Sequence, residues 1–245
     1  MTSADLLLAA CMFLGAVLYT SVGHAGASAY LALMALFGLP TAVMRPTALV
    51  LNVLVASLTS FRYGRAGLFR WRTLWPFLIG ALPFAVLGGS LQLPGELYRP
   101  LVGAVLWIAA ARLLWPREIK AIGVPQDPPV LVAALIGAGI GLLAGLTGTG
   151  GGIFLSPVLL FLGWSNPKTA SGVVAAFILC NSIAGLSGNI ASVQSLPANL
   201  PLFAGSVLAG ALVGTTFGIR FKSAAVLKAL GVVLIVAGFK LFDFF

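Results

Sequence analysis

The stretch GLTGTGGGIFLSP, residues 145 to 157, interrupts a long hydrophobic sequence with residues of high backbone freedom. Its first eight positions hold five glycines and two threonines, after which the sequence turns apolar again. Backbone that leaves helical geometry inside a bilayer exposes N–H and C=O groups, which are costly unless protein, water or a ligand pairs with them. If the surrounding sequence crosses a membrane, the stretch therefore predicts a helix break beside a cavity.

The composition places the chain in a membrane. Its 245 residues are 60% hydrophobic and 8% charged, with a mean hydropathy of +1.10, whereas soluble domains carry about 25% charged residues. The runs are apolar on all sides, which excludes the alternating pattern of a β-barrel. We predict an all-α polytopic integral membrane protein. Apolar runs of roughly twenty residues, each long enough to cross a hydrocarbon core of about 30 Å, start near Leu6, Thr73, Leu97, Val130, Thr169, Asn199 and Ala224.

The second half of the chain repeats the first. Shifted by 125 to 129 positions, the motif at Gly23 to Gly26 falls on Gly148 to Gly151, and Asn52 falls on Asn181. Further glycines match in the same order, which argues for an internal duplication. We expect one transmembrane domain made of an N-terminal repeat over residues 1 to 115, a cytoplasmic linker over residues 116 to 129 and a C-terminal repeat over residues 130 to 245.

Each half contains one short apolar segment, residues 26 to 39 and 150 to 163. About fourteen residues span about 21 Å, which is about 9 Å short of the hydrocarbon core. Such a segment either turns back or crosses together with the unwound glycines, so we expect eight to ten membrane segments, two of them short or broken helices. If each short segment crosses the membrane, eleven of the fourteen Lys and Arg residues lie on the cytoplasmic side. If each short segment turns back, eight of them lie on that side. The positive-inside rule favours crossing, and five spans per half make an inverted repeat.

The glycine motifs predict an anion site. The helix that starts after each break presents free N–H groups and the positive end of its dipole, which attract anions. Inverted halves would bring two such ends near the middle of the membrane, as in secondary transporters. Close packing of helices through glycine is the alternative explanation. The candidate substrate-binding residues in the motifs are Gly23, His24, Ala25, Gly26, Thr147, Gly148, Thr149, Gly150, Gly151 and Gly152.

Five polar residues extend this hypothesis. Asn52 and Asn181 lie in apolar surroundings, where each amide either donates to an oxyanion or joins neighbouring helices. His24 is the only histidine, and three roles are open to it. It donates to the anion, or it carries a coupled proton because its reference pKa of about 6.5 lets it titrate. The third role is that of a solvated loop residue. Arg45 and Lys168 stand just before the asparagine-bearing helices, where they attract anions, orient the chain or reach lipid headgroups.

Neither an enzyme nor a metal or cofactor site is predicted. The spans lack paired acidic residues, HExxH and GxSxG, so we assign no catalytic residues. The basic residues that give the chain its net charge of +9 lie between the apolar runs, so they indicate membrane topology and not nucleic-acid binding. The small-residue face GSVLAGALVG, residues 205 to 214, permits either a homodimer or packing within one chain.

The sequence resembles the TauE/SafE family of sulfite and organosulfonate exporters, which are duplicated bacterial membrane proteins. GTGGGIFLSP at residues 148 to 157, KTASGVV at residues 168 to 174 and Asn181 carry the likeness, which covers nearly the whole chain. The first copy departs from the pattern, with SVGHAGAS at residues 21 to 28, so a site drawn from both halves is asymmetric.

The resemblance implies a multi-pass transporter of the bacterial inner membrane. Its substrate would be a sulfur-containing oxyanion such as sulfite, sulfoacetate or a related sulfonate. The proton gradient would drive the transport. We therefore expect a secondary transporter that alternates access around the two glycine breaks, and an anion channel is the alternative. The expected partners are a small anion and the lipid bilayer.

Overall fold

The structure, a computed structural model, describes residues 2 to 114, 125 to 220 and 224 to 242. These residues form ten α-helices, one 3₁₀ helix over Ile190–Ser195 and no β-strand, which agrees with the predicted all-α class. The α-helices are α1 (Ser3–Thr20), α2 (Ala27–Leu36), α3 (Thr41–Arg65), α4 (Trp71–Ser90), α5 (Gly95–Leu114), α6 (Val130–Thr147), α7 (Gly152–Phe161), α8 (Pro167–Gly188), α9 (Leu200–Arg220) and α10 (Ala224–Leu241).

Six of the described helices are long and apolar enough to cross a membrane. They are α1, α3, α4, α6, α8 and the Leu200–Gly218 part of α9. Large apolar side chains face outward from them, and Leu131 and Leu135 of α6 are 73% and 66% exposed. An apolar surface of this kind is suited to lipid and not to water.

The described helices follow the same order in both halves. α1 and α6 have 18 residues each, and α2 and α7 have 10 each. Gly26 and Gly151 have positive φ directly before the short helices, and Gly38 and Gly163 have positive φ after them. These glycines confine each short helix to about 15 Å, half of a hydrocarbon core. The short helices exist as predicted, but the expected length of fourteen residues is wrong because it includes the glycine turns.

Two parallel helix pairs join the halves through glycine. Glycines at every fourth position of α6, from Gly137 to Gly145, lie against the backbone of α4 from Phe77 to Ala85. Glycines at every fourth position of α9, from Gly210 to Gly218, lie against the segment from Phe13 to Ser21 in the same way. Residue numbers rise together in both pairs, so the helices run parallel. The absence of side chains at these positions lets the backbones approach closely.

The small-residue face at residues 205 to 214 is partly used inside the chain. Gly210 and Gly214 pack on α1, whereas a side chain at Gly205 would meet nothing within 4 Å. Packing within one chain therefore accounts for two of its glycines, and the homodimer stays a prediction.

Two other helix pairs that join the halves are antiparallel. Asn52 Nδ2 of α3 donates to Ser182 Oγ of α8 at 3.3 Å, and Leu49 lies against Gly185. Residue numbers therefore fall along α8 as they rise along α3. α5 and α10 are also antiparallel, because Trp107 donates to the Ile235 carbonyl at 3.3 Å and the earlier residue Gly103 lies against the later residue Phe242.

The segment between α1 and α3, which contains the short helix α2, runs between opposite ends of α3. Tyr63, near the end of α3, donates to the carbonyl groups of Thr20 and Ser21 at the end of α1, at 3.1 and 3.0 Å. α1 and α3 therefore end on the same side, and α3 begins on the other. α2 carries the chain between these sides, and Lys240 of α10 donates to its last carbonyl group, that of Leu36, at 2.7 Å.

The predicted linker, residues 116 to 129, lies mostly outside the described residues. In its described part, Asp127 pairs with Arg70 at 2.9 Å, and the Gln126 N–H donates to the Gly163 carbonyl at 3.2 Å. These contacts hold the start of the second half close to the loop that follows α3.

Replacement of Gly141 by leucine tests the contact between α6 and α4. A Cβ at Gly141 would overlap the backbone of Ala81, whereas a Cβ at Gly139 of the same helix would meet nothing within 4 Å. We expect Gly141→Leu to destabilise the protein by about 1–3 kcal/mol or more and to lower its melting temperature in detergent, measured by tryptophan fluorescence. Gly139→Leu is the matched control and should melt like the wild type. Equal melting temperatures for the two variants would contradict this packing.

Candidate functional site

The second glycine motif forms a buried break between α6 and α7. α6 ends at Thr147, and Gly148, Gly150 and Gly151 follow with φ angles of 84°, 73° and 77°. Such angles favour glycine strongly, so the composition of the motif dictates the break. The Thr147 hydroxyl donates to the Leu143 carbonyl at 2.7 Å and lies 2.9 Å from the Thr149 hydroxyl, which is therefore the donor in that contact.

Five consecutive N–H groups at the start of α7 lack an acceptor in the described structure. Phe154 and Leu155 both donate to the Gly151 carbonyl, whereas the N–H groups of residues 149 to 153 donate to no described acceptor. All five residues are buried. The first N–H groups of a helix have no partner within it, and together with the helix dipole they form an end that attracts anions.

The first glycine motif forms a corresponding break between α1 and α2. Gly23 and Gly26 have φ angles of 80° and 104°, and the His24 N–H donates to the Tyr19 carbonyl at 2.9 Å. The N–H groups of residues 25 to 29 are buried and donate to no acceptor among the residues that the structure describes. At both motifs one helix therefore ends and a short helix starts, and the N–H groups at the start of the short helix have no described acceptor.

Each break packs against the long helix of the other half. A Cβ at Gly148 would lie 3.1 Å from the carbonyl oxygen of Arg45, the fifth residue of α3. A Cβ at Gly23 would lie 2.5 Å from the Cα of Ser171, the fifth residue of α8. The two breaks therefore occupy corresponding positions in the two halves.

Tyrosine hydroxyl groups surround the two breaks, and three of them donate to break carbonyls. None of these tyrosines is among the predicted site residues, although a tyrosine in an apolar run is itself a signal, because a buried hydroxyl needs a partner. Several carbonyl groups at the breaks are therefore paired within the protein, while the N–H groups of residues 25 to 29 and 149 to 153 are not. The contacts involve all four tyrosines of the chain: Tyr98 donates to Thr147 O at 3.0 Å, Tyr30 to Ala25 O at 2.6 Å, Tyr63 to Thr20 O at 3.1 Å, and Tyr19 bonds with Ser28 Oγ at 2.6 Å.

Asn52 and Asn181 meet at Gly150. Asn181 Nδ2 donates to the Gly150 carbonyl at 3.4 Å, and a Cβ at Gly150 would lie 2.5 Å from Asn52 Nδ2. The asparagines are 0% and 1% exposed, and neither Oδ1 atom has a hydrogen-bond partner in the described part of the chain. Ser182, which accepts from Asn52, joins this cluster without any signal in the sequence. The structure thus brings both asparagines to the second motif.

His24 lies beside the first break. Its side chain is half-buried, its Nδ1 is 3.2 Å from the Val22 carbonyl oxygen, and its ring meets the Tyr19 ring edge-on at 6.1 Å between centroids. Since the Tyr19 hydroxyl bonds with Ser28 in the first turn of α2, contacts link the imidazole to the start of the short helix.

The predicted position of Arg45 before its helix is wrong. Arg45 lies inside α3 and is 7% exposed, because Thr41 starts the helix and Pro46 continues it in spite of its missing N–H. Its guanidinium donates to the carbonyl groups of Gly88, Gly89 and Leu91 at the end of α4. A positive charge at a helix C-terminus is stabilised by the helix dipole.

Lys168 also lies inside its helix. It is the second residue of α8, where Asn166 is the N-cap and Pro167 the first helical residue, and its side chain is exposed. A proline at the first helical position is favourable because its missing N–H would have no partner there. Of the two cations predicted near the site, only Lys168 is therefore open to solvent or lipid headgroups.

The comparisons with known proteins agree with this architecture. A family model described as "Sulfite exporter TauE/SafE" matches residues 7–241. "Probable membrane transporter protein y4hK" of Sinorhizobium fredii (strain NBRC 101917 / NGR234) is 40% identical to the chain over 238 residues, which cover 96% of each protein. No solved structure matches the chain. The chain therefore belongs to the sulfite exporter TauE/SafE family and is a multi-pass membrane transporter.

Proposed function

We propose that the chain is a secondary transporter of a small sulfur-containing oxyanion, such as sulfite, sulfoacetate or a related sulfonate. The observation that carries this proposal is the row of five buried N–H groups at residues 149 to 153, beside Asn52 and Asn181. The substrate class comes from the family, whose description names sulfite.

The donors at the second break suit an oxyanion physically. A helix terminus alone contributes about 0.3–2 kcal/mol, which is small beside the several kcal/mol that dehydration of an ion costs. Directed hydrogen bonds have to supply the difference, and several N–H groups of one break can donate to the oxygens of the same anion. Each asparagine also has a second N–H besides the one that already donates. Binding by the backbone accounts for the glycines, because a side chain would hold the anion away.

The two halves form an inverted repeat in this proposal, with five spans each. The antiparallel pairing of α3 with α8 and of α5 with α10 supports it, because each pair consists of corresponding helices of the two halves. The position of α2 between opposite ends of the bundle supports a short segment that crosses. Two breaks related in this way would let the chain expose its anion site to either side in turn.

We place the protein in a bacterial inner membrane, with the end of α3 in the cytoplasm. On that side lie the exposed side chains of Arg65, Arg70, Arg72 and Lys168, whereas Arg99 and Lys240 lie at the opposite end, near Thr41 and Leu36. An excess of Arg and Lys marks the cytoplasmic side.

The burial of both asparagines favours a carrier over the alternative of a channel. A conducting channel needs a continuous polar path, whereas Asn52 and Asn181 are closed from solvent in the described structure. In proteoliposomes with an imposed pH gradient, a proton-coupled carrier should accumulate radiolabelled sulfite above its equilibrium concentration. Sulfite that only equilibrates would support the channel.

Gly150→Ala tests the role of the second break. Its Cβ would overlap the Asn52 amide, so we expect sulfite flux into proteoliposomes to fall at least about tenfold, which corresponds to about 1.4 kcal/mol of lost binding. Gly163→Ala is the matched control, because Gly163 also has positive φ, at 68°, but a Cβ there would meet nothing within 4 Å. If a normally inserted Gly150→Ala protein transports like Gly163→Ala, the break does not bind the anion.

His24→Gln tests proton coupling. An imidazole with a pKa near its reference value of about 6.5 is protonated at pH 5.5 and largely neutral at about pH 7.5. If His24 carries the proton, wild-type flux of a sulfonate, whose sulfonate group stays ionised across this range, should be faster at the lower pH. The variant should show no such difference because glutamine does not titrate. Radiolabelled sulfonate flux measured across this range checks the prediction. A variant that keeps the wild-type pH profile would remove His24 from the coupling.

A further inference from the structure

The Asn181 side chain at the second break presents an unpaired acceptor, its amide oxygen. Its amide orientation follows from chemistry, because the nitrogen faces the Gly150 carbonyl oxygen, which can only accept a hydrogen bond. The Oδ1 atom is left without a partner although the residue is 1% exposed. A buried acceptor of this kind attracts a donor or a cation and repels an oxyanion.

Asn52 presents a second unpartnered oxygen at the same break. Its nitrogen donates to Ser182 Oγ, and its Oδ1 has no partner in the described structure. Both amide nitrogens lie next to Gly150. Since the oxygen and nitrogen of one amide are about 2.2 Å apart, both oxygens lie within about 6 Å of the Gly150 residue. The hydroxyl oxygen of Ser182 and the carbonyl oxygen of Gly150 lie in the same region.

The described residues supply no free positive charge for this region. Arg45 is the one buried charged side chain among them, and its guanidinium donates to three carbonyl groups of α4. The described residues also hold no group of three His, Cys, Asp or Glu side chains. Neutral oxygens alone do not suit a transition metal, and Ca²⁺ takes carboxylates in most of its sites.

We propose that the second break binds Na⁺ between Asn52 and Asn181, beside the anion that the N–H groups of α7 hold. Unwound segments of transporters coordinate Na⁺ through oxygens, while the N-termini of their half-helices face anionic groups. Neighbouring ions of opposite charge compensate each other, which offsets part of the desolvation that either ion would suffer alone. As a statement about coupling, this inference rests on the proposed anion transport, and it adds Na⁺ as a second coupling ion beside the proton.

Equilibrium dialysis with ²²Na⁺ tests the cation site directly. The full chain, purified in detergent without sulfite, is titrated with Na⁺ while choline chloride holds the ionic strength constant. We expect saturable binding of one Na⁺ per chain, weakened at least tenfold in Asn181→Leu. Thr59→Val is the matched control, because it removes a buried hydroxyl of α3 that bonds only within its helix, to Val55 O, and it should bind Na⁺ like the wild type.

Asn181→Asp keeps the inference testable if the leucine variant does not fold. A carboxylate at this position keeps the oxygen ligand and adds a negative charge, so Na⁺ affinity should rise or stay the same. Absence of saturable ²²Na⁺ binding in the wild type would overturn the inference. So would binding that is unchanged in Asn181→Leu.

Calorimetric titration with sulfite in choline buffer, without and then with Na⁺, separates this inference from the proposed function. Sulfite affinity that increases at least tenfold with Na⁺ supports both. Sulfite binding that is independent of Na⁺ overturns the coupling and leaves the anion site intact. Saturable Na⁺ binding without any binding of sulfite or a sulfonate supports the cation site and contradicts the proposed substrate.

Discussion

Buried backbone must pair its polar groups, and this constraint shapes the centre of the protein. Two helices stop inside the bundle, and each stop exposes carbonyl and N–H groups that a continuous helix would pair. Tyr98 and Tyr30 donate to carbonyl groups at the breaks, whereas no described group accepts from the backbone N–H groups of residues 149 to 153. The protein thus pairs several carbonyl groups at the breaks and leaves the N–H groups there without described acceptors. A break of this kind is electropositive, which is the property that an anion carrier requires.

The same break is built twice, but the two copies differ in chemistry. In the second copy, Gly150 lets Asn52 and Asn181 reach the backbone, whereas Ala25 occupies the corresponding position in the first copy. His24 and Ser171 lie at the first break, where the second has Thr149 and Arg45. The proposed duplication would supply the symmetric scaffold that alternating access needs, while substitutions give each break its own chemistry.

Arg45 shows how a charge that looks functional in sequence also supports the fold. Its guanidinium holds the end of α4, and α4 packs along α6, which leads into the second break. A buried charge is tolerated only when hydrogen bonds replace its hydration. Three carbonyl groups at the C-terminus of α4 provide these bonds. Arg45 therefore stabilises the helices around the second break in the described structure.

The amino-acid sequence by itself determined the membrane class and the positions of both breaks, and it predicted the duplication. These features depend on local properties: the hydrophobicity of each run and the ability of Gly23, Gly26, Gly148, Gly150 and Gly151 to adopt positive φ. It also indicated the asparagines as polar residues in apolar surroundings. It did not show what they contact, and it placed Arg45 outside its helix.

Only the tertiary structure decided which groups meet. Asn52 bonds with Ser182 across 130 positions of the chain, and Tyr98 reaches Thr147 across 49. No local pattern encodes such contacts, because they depend on how the two halves pack against each other. The same packing leaves the amide oxygens of Asn52 and Asn181 without donors. The break is therefore a property of the sequence, whereas the distribution of donors and acceptors around it is a property of the assembled helices.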